Sequence, residues 1–424
     1  MSTAPGIVAH VAVVGAGPAG LAAAVRAAEI GRRVVLIDSA PAPGGQIWRH
    51  GAGAAAPRAA RAWITRAQRA GVHVLTGAEV VDAEPGRALT VVAGGQAVRV
   101  LAPAFVLATG ARELFLPFPG WTLPGVLGAG GLQALVKGGL DVRGARVVLA
   151  GSGPLLLPVA ASLVRHGASL AIVAEQTPPA ALRDFALGLW RTPSRLAMAG
   201  LLRAAFARTP YRAGVWVARA DGEGGVRDVT LTDGSHEWRE PCDLLACGFG
   251  LVPGTELARL IGCALERGAI AVDDDQRTSV PGVFAAGECT GVGGAPLSIV
   301  EGELAGLGAA GARIIPPPLR ARRASERRFA ARAAAAFTLR AELRALASAD
   351  TMLCRCEDVR CGAVADAHDA REAKLRTRAG MGACQGRICG AALAHLHGWE
   401  PPAPRPPLFP APVQLLSASD AERT

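Results

Sequence analysis

Short apolar runs, bounded by glycine or charge, recur along this chain and set out its elements. Val11–Val14, Val34–Ile37, Phe105–Ala108, Leu170–Val173 and Leu244–Cys247 have the length and composition of buried strands. Arg146–Ala150 reads the same way. Between the first two runs Leu21, Val25 and Ala28 recur at helical spacing. His73–Thr76, Val80–Val81, Leu89–Val92 and Val98–Leu101 predict short strands with Gly and Pro turns between them, as do Gly214–Ala220 and Val226–Thr232 later on. Strands that alternate with helices give an α/β fold.

The first strand–helix–strand unit carries a motif. Val11–Val14 runs straight into Gly15-Ala16-Gly17-Pro18-Ala19-Gly20, and the second strand ends at Asp38-Ser39. In a G-x-G-x-x-G turn the first glycine allows the bend, the second lets a pyrophosphate approach, and the third lets helix and strand pack closely. The N–H groups at the helix start hold the anion. An acid such as Asp38, eighteen residues beyond Gly20, accepts hydrogen bonds from a ribose. Strand, turn, helix, strand and acid together mark a dinucleotide site.

A chain of 424 residues accommodates two to three domains. Half its residues are hydrophobic, yet no run approaches 18 clean apolar residues, so no membrane span is expected. The N-terminus passes from a few small residues into the first strand, which leaves no room for a signal peptide and points to the cytoplasm. The net charge of +10 raises nucleic acid as a partner, but only two of the 45 basic residues are lysines and no basic face is interleaved with aromatics. Nucleic-acid binding is therefore not expected.

Beyond Asp38, Pro43–Trp48 places Gly45 and Gln46 where backbone can approach a second portion of a cofactor. No cysteine pair follows, which excludes a flavin-linked dithiol there. The strand Phe105–Ala108 ends in Thr109-Gly110, a turn that brings backbone beside a nucleotide. Pro117–Gly139, rich in Gly and Pro, reads as a crossover into a second domain. That domain opens on a damaged copy of the first motif, Gly151-Ser152-Gly153-Pro154-Leu155-Leu156, with Glu175 as its acid. Leu156 stands at the third-glycine position, and Pro158 falls where it threatens a kink. NAD(P) is not expected to bind there. Pro178–Arg212, with Phe185, Leu189, Leu196, Leu201 and Leu202, predicts helices that cover this second site or meet a partner. Cys242, Cys247 and Cys263 read as small buried residues, the first two leaving opposite faces of a strand.

The chain then returns to its first domain. Thr278–Ala286 ends in Gly287-Glu288, where a carboxylate can meet a ribityl hydroxyl and a backbone N–H a pyrophosphate. With Gly15–Gly20, Asp38 and Thr109-Gly110 already in hand, residues 8–315 resemble the two-dinucleotide-domain flavoproteins of the glutathione-reductase type. That resemblance implies FAD extended across the first domain and a second domain inserted between its halves. Glu288 departs from the aspartate usual in that group.

Arg320–Arg344 reads as a solvated basic helix between domains. Then come Cys354-Arg355-Cys356 and Cys384-Gln385-Gly386-Arg387-Ile388-Cys389. Four such thiols close together suit a metal centre better than disulfides. Zinc and a [2Fe–2S] cluster compete for four thiolates. One C-x-C pair, and a glycine-rich loop whose N–H groups can reach cluster sulfurs, favour the cluster. Cys361 reads as a small buried residue, and His395 and His397 as surface residues.

Thr351–Val359, Thr377–Gly390 and Gly287–Gly302 are similar to the alpha-type FAD/[2Fe–2S] subunits of heteromeric amino-acid and opine dehydrogenases. That family takes in octopine and nopaline oxidase A subunits, the hydrogen cyanide synthase B subunit, and the D-hydroxyproline dehydrogenase alpha subunit. It joins a flavoprotein to a bacterioferritin-associated-ferredoxin-like domain. The resemblance implies cluster ligands at Cys354, Cys356, Cys384 and Cys389. It implies an amino-acid-oxidase-like partner subunit that oxidises the substrate C–N bond. It also allows for a small ferredoxin-like subunit, with peripheral membrane attachment through the complex. No His or Lys lies in a flavin-contacting motif, so no catalytic side chain is expected in this chain. The expected organisation has two Rossmann-like domains, FAD-binding over 1–140 and 270–315 and the degenerate one over 141–269. A basic linker (316–350), an α-rich [2Fe–2S] domain (351–400) and a proline-rich tail (401–424) that docks on a neighbour complete it.

Overall fold

The computed structural model describes residues 6–50 and 55–415; the chain's start and the end of its proline-rich tail, 416–424, lie outside the described residues. The chain divides into two compact units. One comprises Met1–Arg112, Val252–Ala331 and Ala403–Thr424, the other Glu113–Leu251 and Arg332–Pro402.

The first unit is built on a five-stranded parallel sheet. Its strands lie in the order Val283–Ala285, Ala104–Leu107, Val11–Val14, Val34–Ile37, His73–Leu75. Val11 to Val14 pair in step with Val34 to Ile37 on one side and Ala104 to Leu107 on the other. All three strands are buried throughout, which is why they read as unbroken apolar runs. Helix Pro18–Glu29 follows the first strand and packs on helix Ala295–Ala309. A Cβ at Gly302 would lie 2.1 Å from the Ala19 carbonyl oxygen, and one at Gly306 2.2 Å from that of Ala23. Glycines four apart thus let the two backbones touch. A second sheet, in the order Gly6–Val8, Gln96–Leu101, Ala88–Ala93, Ala78–Glu84, shares a core with the first.

The second unit repeats the plan. Its five-stranded parallel sheet runs Val126–Gly128, Leu244–Gly248, Arg146–Gly151, Ser169–Glu175, Tyr211–Ala213. A three-stranded antiparallel sheet, Trp216–Asp221, Asp228–Thr232 and Glu237–Pro241, joins its core. The cysteine-rich segment forms a small core of its own from Leu353, Val359, Val364, Ala373 and Leu393, with helices Ala370–Thr377 and Cys389–His397.

Several expectations change. The supposed crossover Pro117–Gly139 contains a strand, Val126–Gly128, and a helix, Ala129–Lys137. Pro158 causes no kink: its helix runs Leu156–Arg165, so the proline sits in the first turn, where backbone N–H groups have no helical partner to lose. The basic helix spans Pro317–Ala336 and is not wholly solvated, because Arg323 is buried and paired with Asp274 at 2.7 Å. The proline-rich tail docks on its own chain: Leu408 is buried in the first unit's core and donates its N–H to the Val81 carbonyl at 2.8 Å. Cys242 and Cys247 enter one core cluster rather than opposite ones, and burial pushes the Cys242 thiol up to about 12. His395 is half-buried, and burial lowers its pKa. Among the described residues no helix is long and apolar enough to cross a membrane.

Candidate dinucleotide site and cysteine cluster

The three glycines of the first motif differ in what they face. A Cβ at Gly15 would lie 2.2 Å from the Ala108 carbonyl oxygen, and one at Gly20 1.7 Å from that of Gly15. The protein's own packing requires both. At Gly17 the nearest atom would be the Gly45 Cα at 3.9 Å, an ordinary contact. No neighbour forbids a side chain at Gly17, so its bareness leaves room for something outside the protein.

Gly17 caps helix Pro18–Glu29, so Pro18 brings no N–H and those of Ala19 and Gly20 have no partner within the helix. Opposite stands the Pro43–Trp48 loop, anchored by the buried Trp48 and by the Gly44 N–H, which donates to the Ala16 carbonyl at 2.8 Å. Gly45 adopts φ +58°, and a Cβ there would lie 2.9 Å from Gly17 Cα. Gln46 and Ser39 are exposed. Asp38 holds the turn from below: its carboxylate accepts the Ala16 N–H, and the Ala40 N–H at 2.7 Å. Each oxygen keeps a further lone pair for a ribose hydroxyl. Thr109 and Gly110 are fixed by a residue the sequence did not mark, Gly254. The Thr109 hydroxyl donates to its carbonyl, and its N–H donates to the Gly110 carbonyl at 2.8 Å.

Gly287 completes the site against Ala19, whose Cβ would be 2.8 Å from a Cβ at Gly287. Its N–H donates to the buried carboxylate of Glu301 at 3.0 Å. Glu288 accepts the N–H groups of Gly294 at 2.7 Å and Gly293 at 3.4 Å on Oε1, while its buried Oε2 has no partner among the described residues. Burial raises the Glu288 pKa, against the pull of the two N–H donors. An orphaned buried carboxylate oxygen fits a missing hydroxyl donor. These residues suit an extended, hydroxylated, anionic dinucleotide.

The second motif is built differently. Its helix begins at Leu156, three residues past Gly153, whereas the first begins one past Gly17. Leu156 is fully buried, its Cδ2 3.3 Å from a Cβ built at Gly248. The Gly153 N–H is already taken by the buried Glu175 carboxylate at 2.8 Å. Above it lies the segment that follows helix Pro317–Ala336. A Cβ at Gly153 would meet the Phe337 Cβ and Cγ at 3.8 Å, and the Ser152 hydroxyl donates to the Phe337 carbonyl at 3.1 Å. Gln176, fully buried, donates to Ser152 Oγ at 2.8 Å and to the Thr338 carbonyl at 3.2 Å, and accepts the Arg340 N–H at 3.0 Å. Phe185, from the extra helices, meets Phe337 edge-on at 5.0 Å. Phe337 thus packs against the second motif beside Gly153, and nothing in its own sequence neighbourhood announced it.

The four cysteines fall into two pairs. Cys354 and Cys389 are buried, and their thiols act on one another's titration. Cys356 and Cys384 form the other pair, closer to solvent. Burial works against a thiolate at Cys384, but the N–H groups of Ile388, Gly386 and Arg387 and the Cys356 thiol together hold its pKa below the ordinary value. Burial and the Cys354 thiol push Cys389 up to about 12. Gly382 is required here, since a Cβ would lie 2.2 Å from that of Cys356. Among the described residues no three His, Cys, Asp or Glu side chains converge as a single metal ion would need. Cys361 stands apart, its thiol raised by burial alone.

Residues 9–306 match the model of the pyridine nucleotide-disulphide oxidoreductase family. The hydrogen cyanide synthase subunit HcnB of Pseudomonas aeruginosa is 32% identical over 95% of this chain and 97% of its own. The opine oxidase A subunit of Rhizobium meliloti strain 1021 is 34% identical over 91% of each chain. Among solved structures, L-proline dehydrogenase from P. horikoshii superposes with a TM-score of 0.71 at 20% identity, covering 98% of this chain and 81% of that one. Thioredoxin reductase from T. acidophilum gives 0.56 at 24% identity, over 72% of this chain and 98% of that one.

Proposed function

The chain belongs to the pyridine nucleotide-disulphide oxidoreductase family and is an FAD-dependent oxidoreductase, and we propose that it serves as the FAD- and [2Fe–2S]-containing subunit of a heteromeric amino-acid or opine dehydrogenase. Its substrate would be oxidised at a C–N bond in an amino-acid-oxidase-like partner, and this subunit would carry the electrons towards an acceptor. HcnB and the opine oxidase A subunit are each named as a subunit of a larger enzyme, which supports a heteromeric assembly. FAD would lie along Gly15, Gly17–Gly20, Asp38, Ser39, Gly45, Gln46, Thr109, Gly110, Gly287 and Glu288. The cluster would be held by Cys354, Cys356, Cys384 and Cys389. FAD accepts electrons in pairs and releases them singly, the exchange that a one-electron centre requires.

The residues have distinct work in this reading. The N–H groups of the first helical turn after Pro18 would bind the diphosphate, Asp38 would orient a ribose, and Glu288 would orient the ribityl chain. The loop at Cys384 aims N–H groups at sulfur. The observation that carries the proposal is Phe337 seated over Gly153. A free-standing NAD(P)H reductase would need a pyrophosphate to reach that turn, and the packing of Phe337 on it argues against that reading. The alternative of a non-turnover assembly subunit has no such observation in its favour.

The test is to co-express the full chain with its catalytic subunit, then mix the complex anaerobically with glycine, D-hydroxyproline, octopine or nopaline. One of these should bleach the flavin of the complex while leaving that of the isolated chain oxidised. Bleaching of the isolated chain by the same substrate would refute the division of labour.

A further inference from the structure

We infer that Glu301 is a positioning residue of the flavin site, acting through Gly287 to set the carboxylate of Glu288. The inference rests on the proposal that FAD occupies this unit. Glu301 lies in helix Ala295–Ala309, whose other buried residues are small, apolar or serine, and it is only 1% exposed. A carboxylate so placed is costly unless each oxygen is satisfied and the charge is balanced. Both conditions are met, and the two oxygens divide the work. Oε2 accepts the Gly287 N–H at 3.0 Å and the Thr290 hydroxyl at 3.0 Å. Oε1 faces the basic helix, where the Arg327 guanidinium lies at 2.9 Å and that of the buried Arg323 at 3.9 Å.

The turn that Glu301 grips is the one that carries Glu288. Gly287 has φ +82° and abuts Ala19, so it can neither take a side chain nor move towards the first helix. The Thr290 hydroxyl shares its single proton between Glu301 Oε2 and the Gly287 carbonyl, which lies at 2.9 Å. With Gly293 and Gly294 holding Oε1 of Glu288, the turn is fixed on every side except one, the unpartnered Glu288 Oε2. Glu301 therefore holds both ends of the turn, and with it the acid that would meet the ribityl chain. Arg327 makes this grip depend on the Pro317–Ala336 helix, a coupling that no local motif around Gly287-Glu288 would show.

The experiment titrates FAD into the deflavinated full chain and follows flavin fluorescence, with far-UV circular dichroism as the check on folding. Wild type should bind FAD; if it does not, the flavin proposal itself fails. Glu301→Ala should weaken binding by about tenfold or more, the loss expected for one charged hydrogen-bond acceptor. Glu301→Gln keeps an oxygen for the Gly287 N–H and should recover affinity to within about threefold of wild type. Equal weakening in both variants, or wild-type affinity in Glu301→Ala, would overturn the inference. Should Glu301→Ala fail to fold, Arg327→Leu decides: FAD binding several-fold weaker supports the grip, and unchanged binding overturns it.

Discussion

The Ser152 hydroxyl donates to the backbone carbonyl of Phe337 at 3.1 Å, across 185 residues of sequence. A turn that belongs to a dinucleotide-binding architecture thereby holds a piece of its own chain. Gln176 is the knot of this arrangement, bonded to Ser152, Thr338 and Arg340 while fully buried. Gln176→Leu should leave the Arg340 N–H and the Thr338 carbonyl without that partner. At ~1–3 kcal/mol for each buried group left unsatisfied, the loss should appear as a lower unfolding midpoint in urea. It should also bring faster proteolysis between Phe337 and Arg340. Wild-type resistance in both assays would show that the segment is held by something else.

The three glycines of the first motif should separate in kind. Gly15→Ala and Gly20→Ala place a methyl group inside the contact distance of a carbonyl oxygen and should destabilise the flavin-free chain by about 1–3 kcal/mol or more. Gly17→Ala meets only a 3.9 Å contact and should leave that stability unchanged while losing FAD. Calorimetry of the three flavin-free variants, followed by flavin content, checks this. Full flavin content in Gly17→Ala would move the pyrophosphate elsewhere.

Glu288 gives a pH signature. Its folded pKa is raised above the ordinary 4.5 by burial. Between those two values the folded chain holds the proton and the unfolded chain does not, so this group's contribution to stability falls as pH rises through that window. The opposite sense holds for FAD, because an ionised carboxylate is the better acceptor for a ribityl hydroxyl. Wild-type FAD affinity should therefore decline as pH falls through the raised pKa, and Glu288→Gln should bind more weakly with a flatter profile. Identical slopes in the two proteins would remove Glu288 from the site.

For the cysteines, full-length chain prepared without oxygen should contain about two irons and two acid-labile sulfides, as a cluster held by two ligand pairs requires. Cys384→Ser should lose both and Cys361→Ser should keep them. Metal and sulfide analysis checks the result, and one zinc without sulfide would contradict it.

The dinucleotide unit was legible because its signals are local. Strands buried on both faces leave unbroken apolar runs, and glycines at Gly15, Gly17 and Gly20 sit at fixed offsets from them. Leu156 likewise marked the second motif as altered, though Pro158 misled, since a proline in a first helical turn costs little. Contacts made over long sequence distances left no such trace. Phe337 on Gly153, Gln176 on Arg340 and Leu408 on Val81 join residues that no spacing rule connects. Two signals could have been read. Gly302 and Gly306, four apart, announce close helix packing, and Glu301 is the acid standing among the buried positions of an apolar helix.

The proposal that this chain receives electrons from a partner and not from a nicotinamide rests on the packing of Phe337 against Gly153, where a Cβ would lie 3.8 Å from it. Rapid anaerobic mixing of the flavin-loaded full chain with NADH or NADPH tests it most directly. Loss of a pyrophosphate seat should weaken a micromolar site to roughly millimolar, about 4 kcal/mol. Even millimolar nicotinamide should then bleach the flavin slowly or not at all, while the partner subunit with its substrate bleaches it readily. Fast bleaching of the isolated chain by micromolar NADH would contradict the account.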